Sequence, residues 1–314
     1  GLWRRYTLFT KTVLISGAGG FLGRALLQQL SQKPTIRVMA LTSKPEELRS
    51  LFHYMGNLTC YSSVEDLDSG AIPFEEVDFL IHSAFSRTVD YAPLAASLEF
   101  TSRLLWRAAL GGVKGIVNIS SQSVYGRNRD VPWDESSALD VDSPYAFAKF
   151  ASELLTQAVA DGTGVAATSL RLAALTGPGA DSRFISVFVK NALAGNPIKV
   201  IGGEQVFSFM DVNDAAAGII RLVDIAPSKW RRVYNLGGYW THTLTELAEM
   251  VRRIAEDYVS LPVTVEVESG GDARDARMSS RLFYSDTRWQ PTRDPERIIR
   301  TLFEHYIRSS STAV

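Results

Sequence analysis

Val13-Leu-Ile-Ser-Gly-Ala-Gly-Gly-Phe-Leu-Gly23 decides how the rest of the chain is read. Val13 to Ser16 is an apolar run of the kind that forms a buried strand. Leu22 to Leu30 carries apolar residues at 22, 26, 27 and 30, the spacing of one helical face. Between them the glycines at 17, 20 and 23 permit a tight turn, close approach of the backbone to a pyrophosphate and close helix–sheet packing. The start of the helix adds free N–H groups and the positive end of its dipole. A Gly-rich turn alone is a weak sign, with a plain structural turn as its rival. The strand–turn–helix context favours a dinucleotide site, with Gly17, Gly19, Gly20, Phe21, Leu22 and Gly23 as candidate contacts.

Outward from this stretch, short apolar runs alternate with helical patterns. Arg37–Leu41, Val77–Ile81, Gly115–Ile119 and Ala166–Leu172 read as strands, and the segments 93–110 and 145–160 as helices. Such alternation predicts α/β architecture with a doubly wound parallel sheet. After Gly177-Pro-Gly179 the pattern loosens into helices near 184–194, 214–223 and 244–258, strands at 233–236 and 263–267, and a last helix from about Pro295. The expected division is a dinucleotide-binding part over 1–176 and 207–238. A smaller C-terminal α/β appendage, over 177–206 and 239–314, would bind substrate.

The 314 residues are 46% hydrophobic and 21% charged, ample for a large core and far from a disordered composition. A net charge of -1 lends no support to nucleic-acid binding. The single cysteine, Cys60, excludes an intramolecular disulfide, and four scattered histidines offer no zinc cluster. No run approaches the ~18 apolar residues of a membrane span. Gly1–Tyr6 is basic but lacks the apolar core of a signal peptide, so a soluble cytoplasmic protein without a metal is expected.

The end of the second strand bears on the choice of dinucleotide. It reads Ala40-Leu-Thr-Ser-Lys44, with no carboxylate before Glu46. A hydroxyl and a cation at Thr42, Ser43 and Lys44 suit a 2′-phosphate, so NADP is preferred with NAD as the alternative; the rival reading makes Ser43 and Lys44 the start of a solvated loop. Asn118-Ile-Ser-Ser-Gln-Ser-Val-Tyr-Gly126 places hydroxyls just after a strand, and Tyr145-Ala-Phe-Ala-Lys149 puts a phenol and an ammonium on one helix face. A nearby ammonium favours the phenolate, so Tyr145 is placed to exchange a proton with a carbinol or carbonyl oxygen near neutral pH. A Tyr–Lys pair at this spacing is common by chance; its conjunction with the glycine turn, in this order, is specific.

With these segments, Asp78–Ala84, Leu170-Arg171 through Gly177-Pro-Gly179, Met210–Asp214 and Tyr234–Gly238, the chain resembles an extended short-chain dehydrogenase/reductase of the NAD-dependent epimerase/dehydratase family. The resemblance implies a Rossmann domain in which Tyr145 is the acid/base, Lys149 tunes it and binds the nicotinamide ribose, and Ser121 orients substrate. It also implies that Ser123 is a second hydroxyl near the substrate and that Ser83 and Ala84 lie along the dinucleotide. Four positions depart from the family. Gln122 and Ser123 stand where dehydratases have Asp-Glu, which argues against 4,6-dehydration. Ala174 and Phe207 stand where many nucleotide-sugar members have an asparagine and a diphosphate-clamping arginine. Arg183, Lys190, Arg274, Arg277 or Arg281 could supply a replacement, although any one of them taken singly reads more readily as a solvated surface charge. The resulting expectation is an NADP-preferring oxidoreductase that reduces a keto group of a nucleotide-activated deoxysugar. Its alternatives are a nucleotide-sugar 4-epimerase with tightly held NAD and a reductase or dehydrogenase of a non-nucleotide carbonyl compound. A homodimer through the helices at 93–110 and 145–160 is expected by the same resemblance, with Phe147, Phe150 and Leu154 on its surface. His82 reads as a packed, hydrogen-bonded histidine, Cys60 as a small apolar residue, and Trp133 as either an edge of the site or a surface staple.

Overall fold

Strand β1 (Lys11–Ser16) is buried at every position from Thr12 to Ser16. A parallel strand covered on both faces needs no polar alternation, which is why Val13-Leu-Ile15 runs unbroken. The structure, a computed structural model, describes residues 9–312; Gly1–Tyr6, on which the signal-peptide expectation rests, lies outside them. After β1 come α1 (Phe21–Leu30), β2 (Ile36–Thr42), α2 (Pro45–Leu51), β3 (Leu58–Ser62) and β4 (Phe79–His82). These are followed by α3 (Tyr91–Leu110), β5 (Gly115–Ser121), α4 (Pro144–Thr163), β6 (Ala166–Leu172) and β7 (Ala174–Thr176). The later elements are α5 (Phe184–Leu193), β8 (Ile198–Ile201), β9 (Phe209–Asp211), α6 (Val212–Leu222), β10 (Val233–Leu236), α7 (Leu244–Ala255), β11 (Val265–Glu268), α8 (Arg281–Thr287) and α9 (Pro295–Ser311).

The seven-stranded sheet has the order β10-β6-β5-β4-β1-β2-β3. β1 pairs in parallel with β2 on one side and β4 on the other, and β2–β3 and β4–β5 are parallel too. The strand order reverses between β1 and β4, and at such a switch point a crevice opens beyond the carboxyl ends of the strands. The doubly wound sheet expected from the sequence is therefore present, and Ser16 and His82 end neighbouring strands in register at its switch point.

The chain divides into two compact units. One comprises residues up to Gly126, Val141–Arg171 and Ile219–Tyr234; the other comprises Arg127–Asp140, Leu172–Gly218 and residues from Asn235 on. In the first, Leu14, Met39 and Leu80 of the sheet pack with Leu104, Leu105 and Ala108 of α3 and Val159 of α4. In the second, α5, α7 and α9 bury Phe188, Val189, Leu247, Val251, Ile299 and Phe303 around one core. Each such side chain contributes roughly 1.5–3 kcal/mol.

The second unit takes in 127–140 and 207–218, which the sequence division assigned to the dinucleotide part. The ties are long-range. The Trp133 amide donates to the Arg277 carbonyl and the Trp133 carbonyl accepts from the Ser279 amide, while Asp214 accepts from the Thr292 and Arg293 amides. Trp133 itself is not a surface staple. It is 2% exposed in the core of this unit, with its indole N–H donated to the Asn128 carbonyl. The elements absent from the sequence reading (α2, β3, β7, β8, β9 and α8) are all short. α7 stops at Ala255 rather than at Tyr258, whose ring instead stacks on Phe303 at 4.9 Å. No helix among the described residues is long and apolar enough to cross a membrane.

Candidate active site

Close backbone approach shapes the turn after β1. Gly17 has φ +65°, and a Cβ there would lie 2.7 Å from the Ala84 amide nitrogen. A Cβ on Gly23 would lie 2.2 Å from the Gly17 carbonyl oxygen. α1 starts after Gly20 with no side chain capping it, so its first N–H groups face outward for an anion. Gly17, Gly19, Gly20, Thr42, Ser43, Lys44 and Ala84 line a cleft of about 780 Å³, together with Arg24, Glu47 and Phe85. The shape and the uncapped helix start fit a dinucleotide. Phe21, Leu22, Gly23, Ser83, Tyr145 and Lys149 are not among the lining residues; Leu22 and Gly23 are buried on the inner side of α1.

Arg24 and Glu47 are residues that sequence reasoning missed. The Glu47 carboxylate lies 3.6 Å from the Arg24 guanidinium and 3.8 Å from the Lys44 ammonium. No carboxylate precedes Glu46 after β2, as read from the sequence, but Glu47, one residue further on, lines this end of the cleft. Pro45 occupies the first turn of α2, so the helix starts at once and Glu47 is returned to the rim. The signal was present in Lys44-Pro-Glu-Glu47, a proline followed by acidic residues at a helix start.

Tyr145 and Lys149 sit on α4, whose first turn is fixed by Pro144 and by the Ser143 hydroxyl accepting from the Ala146 amide at 3.1 Å. Ser121 ends β5, and its hydroxyl hydrogen-bonds the Tyr145 phenol. The Ser123 amide donates to Ser121 Oγ at 3.1 Å, while the Ser123 hydroxyl is buried with no protein partner. The three expected catalytic residues are thus brought together. Phe85 links them to the cleft: Lys149 Nζ lies 4.1 Å from its ring centre, and the Tyr145 ring meets it edge-on at 6.4 Å. Arg183, the remaining expected substrate contact, precedes α5 in the second unit. Arg277, one of the suggested replacements, is engaged by Asp275 at 2.7 Å.

Burial holds the Tyr145 phenol above its ordinary range, opposed by the positive charge of Arg87 and the hydrogen bond from Ser121. Arg87 lies in the loop after β4, where no periodicity marks it. Lys149 Nζ donates to the Ile119 carbonyl at 2.8 Å, 5.9 Å from the centre of the Tyr145 ring. Arg87 is a further cation whose charge favours the Tyr145 phenolate. Burial pushes Lys149 down to about 7, with Glu153 opposing and Arg87 reinforcing. Glu153, one helical turn on, is itself buried. It accepts from Arg171 Nη2 at 2.8 Å and from the Ser120 hydroxyl at 2.7 Å, while Arg171 also donates to the Tyr125 hydroxyl at 3.0 Å.

The low value at Lys149 has a consequence for stability. From about pH 7 up to the ordinary lysine range, the unfolded chain binds a proton at Lys149 that the folded chain does not. Stability therefore rises with pH across that window. Urea unfolding of the free protein should show wild type gaining on Lys149→Met between about pH 7 and 9; equal slopes for the two proteins would contradict it.

The sequence profile of the NAD dependent epimerase/dehydratase family matches residues 13–237. Among characterised relatives, the dTDP-glucose 4,6-dehydratase of Streptomyces griseus is 27% identical over 297 residues, covering 87% of each chain. The UDP-glucose 4-epimerase of Mycolicibacterium smegmatis is 26% identical over 296 residues, 88% of this chain and 93% of that one. The fold is shared with the UDP-glucose 4-epimerase of Thermotoga maritima, solved with UDP-glucose, at TM-score 0.78 and 21% identity over 95% of this chain and 99% of that one. It is also shared with the UDP-glucuronic acid 4-epimerase of Bacillus cereus, solved with UDP-glucuronic acid and NAD, at TM-score 0.80, 18% identity and the same coverages. Together with the glycine cleft and the Ser121–Tyr145–Lys149 cluster, these matches identify the chain as a member of the NAD dependent epimerase/dehydratase family, an NAD(P)-dependent oxidoreductase of the extended short-chain type.

Proposed function

We propose that this protein is a nucleotide-sugar 4-epimerase using NAD. The observation that carries the reading is the hydrogen-bonded Ser121–Tyr145 pair beside buried Lys149, joined through Phe85 to a cleft whose rim holds a carboxylate. Nicotinamide supplies reversible hydride transfer when bound. Tyr145 Oη is placed to take the proton of a ring carbinol and to return it, and Ser121 Oγ to hold the same oxygen. The orphan Ser123 hydroxyl is the second donor that the substrate oxygen would meet. Gln122 and Ser123 carry no carboxylic acid for eliminating water, which favours epimerisation over the 4,6-dehydration named for several relatives. The relatives named as acting on dTDP- or UDP-sugars support the substrate class, and neighbours solved with NAD support the cofactor. Glu47 supplies the physical reason, because a carboxylate at the adenosine end accepts from ribose hydroxyls and repels a 2′-phosphate.

The expected NADPH-linked ketoreductase remains as a second reading because Arg24 and Lys44 flank Glu47. Titration of stripped protein with NADH and NADPH separates the two readings. NADH should bind more tightly, and Glu47→Gln should move the preference toward NADPH by about tenfold, the worth of one charge-assisted contact. Tighter NADPH binding by wild type would turn the assignment to the net reductase.

Tyr145→Phe should retain dinucleotide binding while epimerisation of UDP- and dTDP-hexoses falls by about 10²–10⁴. Unchanged turnover would end the catalytic assignment.

A homodimer is part of the same proposal. α3 and α4 leave Tyr91, Phe147 and Leu154 exposed, and Leu94, Leu98, Pro144 and Phe147 line a shallow apolar groove. Phe147→Glu should convert the particle measured by light scattering from dimer to monomer; a monomeric wild type would remove this part.

A further inference from the structure

His82 ends β4 next to Ser16 of β1 and is 2% exposed, with both ring nitrogens engaged. Nδ1 lies 2.7 Å from Ser16 Oγ, and Nε2 lies 2.7 Å from Thr101 Oγ1 on α3. The proton positions follow from counting. A serine hydroxyl has one proton and two lone pairs. Ser16 Oγ accepts from the Ser83 amide at 3.0 Å and from the Ala84 amide at 3.2 Å, so both lone pairs are occupied. Its own proton must then go to His82 Nδ1. A neutral ring with Nδ1 accepting carries its proton on Nε2 and donates it to Thr101, whose hydroxyl donates in turn to the Ser97 carbonyl at 2.7 Å. The reverse tautomer would give Ser16 a third donor and leave one part-buried amide without an acceptor. Burial and the charge of Lys149 hold His82 down to about 3, so the ring stays neutral.

Ser83 and Ala84 are the backbone against which Gly17 closes with no room for a Cβ. We propose that His82, fixed as its Nε2–H tautomer by Thr101, is a positioning residue for dinucleotide binding. It aims the Ser16 hydroxyl so that the phosphate turn and the Ser83–Ala84 segment are held as one rigid wall of the cleft. The inference rests on the dinucleotide cleft described above and on no particular substrate.

The test breaks the chain at its far end. Thr101→Val removes the acceptor without changing the shape of the side chain, and Thr101→Ser restores it. Titration with NADH and NADPH should show Thr101→Val binding both about five- to tenfold more weakly than wild type, with Thr101→Ser within about twofold. Nitrogen-15 spectra of the histidine rings, with His82 identified by its absence in His82→Gln, should show Nε2 protonated and Nδ1 bare from about pH 6 to 8. Should Thr101→Val fail to fold, the wild-type spectrum still decides. Wild-type affinity in Thr101→Val, or a proton on Nδ1, overturns the positioning role alone. Failure of wild type to bind either dinucleotide overturns the cleft and the positioning role together.

Discussion

The close approach of two backbones at Gly17 is the constraint on which the rest of the first unit depends. The chain leaves β1 in a conformation with φ +65° and passes so near Ala84 that no side chain fits between them. That approach requires the ends of β1 and β4 to stay in register, which the parallel pairing of Ser16 with His82 provides. Once the two strand ends are held together, α1 is aimed with its uncapped N–H groups into the crevice, and the β4 loop brings Phe85 to the same side. Phe85 then touches both Lys149 and Tyr145, so the geometry of the glycine turn extends to that pair through one aromatic ring.

A second constraint is the cost of burying an ammonium. Lys149 lies in an environment that disfavours its charge, yet its donors must be used. The Ile119 carbonyl takes one, and Glu153 supplies the nearest favourable field. Glu153 in turn is held by Arg171 and Ser120, so a carboxylate that would be costly alone becomes a fixed part of the floor beneath the site. Removing one member of such a buried pair is worth roughly 3–5 kcal/mol, which explains why the network carries more donors than a single ion pair requires.

How much of this was legible in the chain follows from the range of the forces involved. The strand–turn–helix stretch at 13–30 and the Tyr145–Lys149 spacing are local patterns, set by period and by the backbone freedom of glycine; the first locates the fold, and the second puts the two side chains on one helix, α4. Glu47 lies beyond the strand end, and only the helix that Pro45 starts returns it to the cleft. Arg87 had no such mark: its charge reaches Tyr145 only once the loop after β4 and α4 come near each other in the fold. Trp133 and the segment 127–140 are tied to Arg277 and Ser279, nearly half the chain away, and no local pattern encodes that pairing.

The substitution of Phe207 for the usual arginine shows the same limit from the other side. From sequence it reads only as a lost phosphate clamp. In the fold the ring lies 5.4 Å from Phe184, which also meets Phe209 edge-on at 6.0 Å, and Phe209 lies 5.8 Å from Trp240. A cation there would have to be desolvated beside Phe184, in a cluster whose other rings are Phe209 and Trp240, gaining cation–π contact but losing water. The aromatic cluster therefore accounts for the phenylalanine as a packing partner in the second unit.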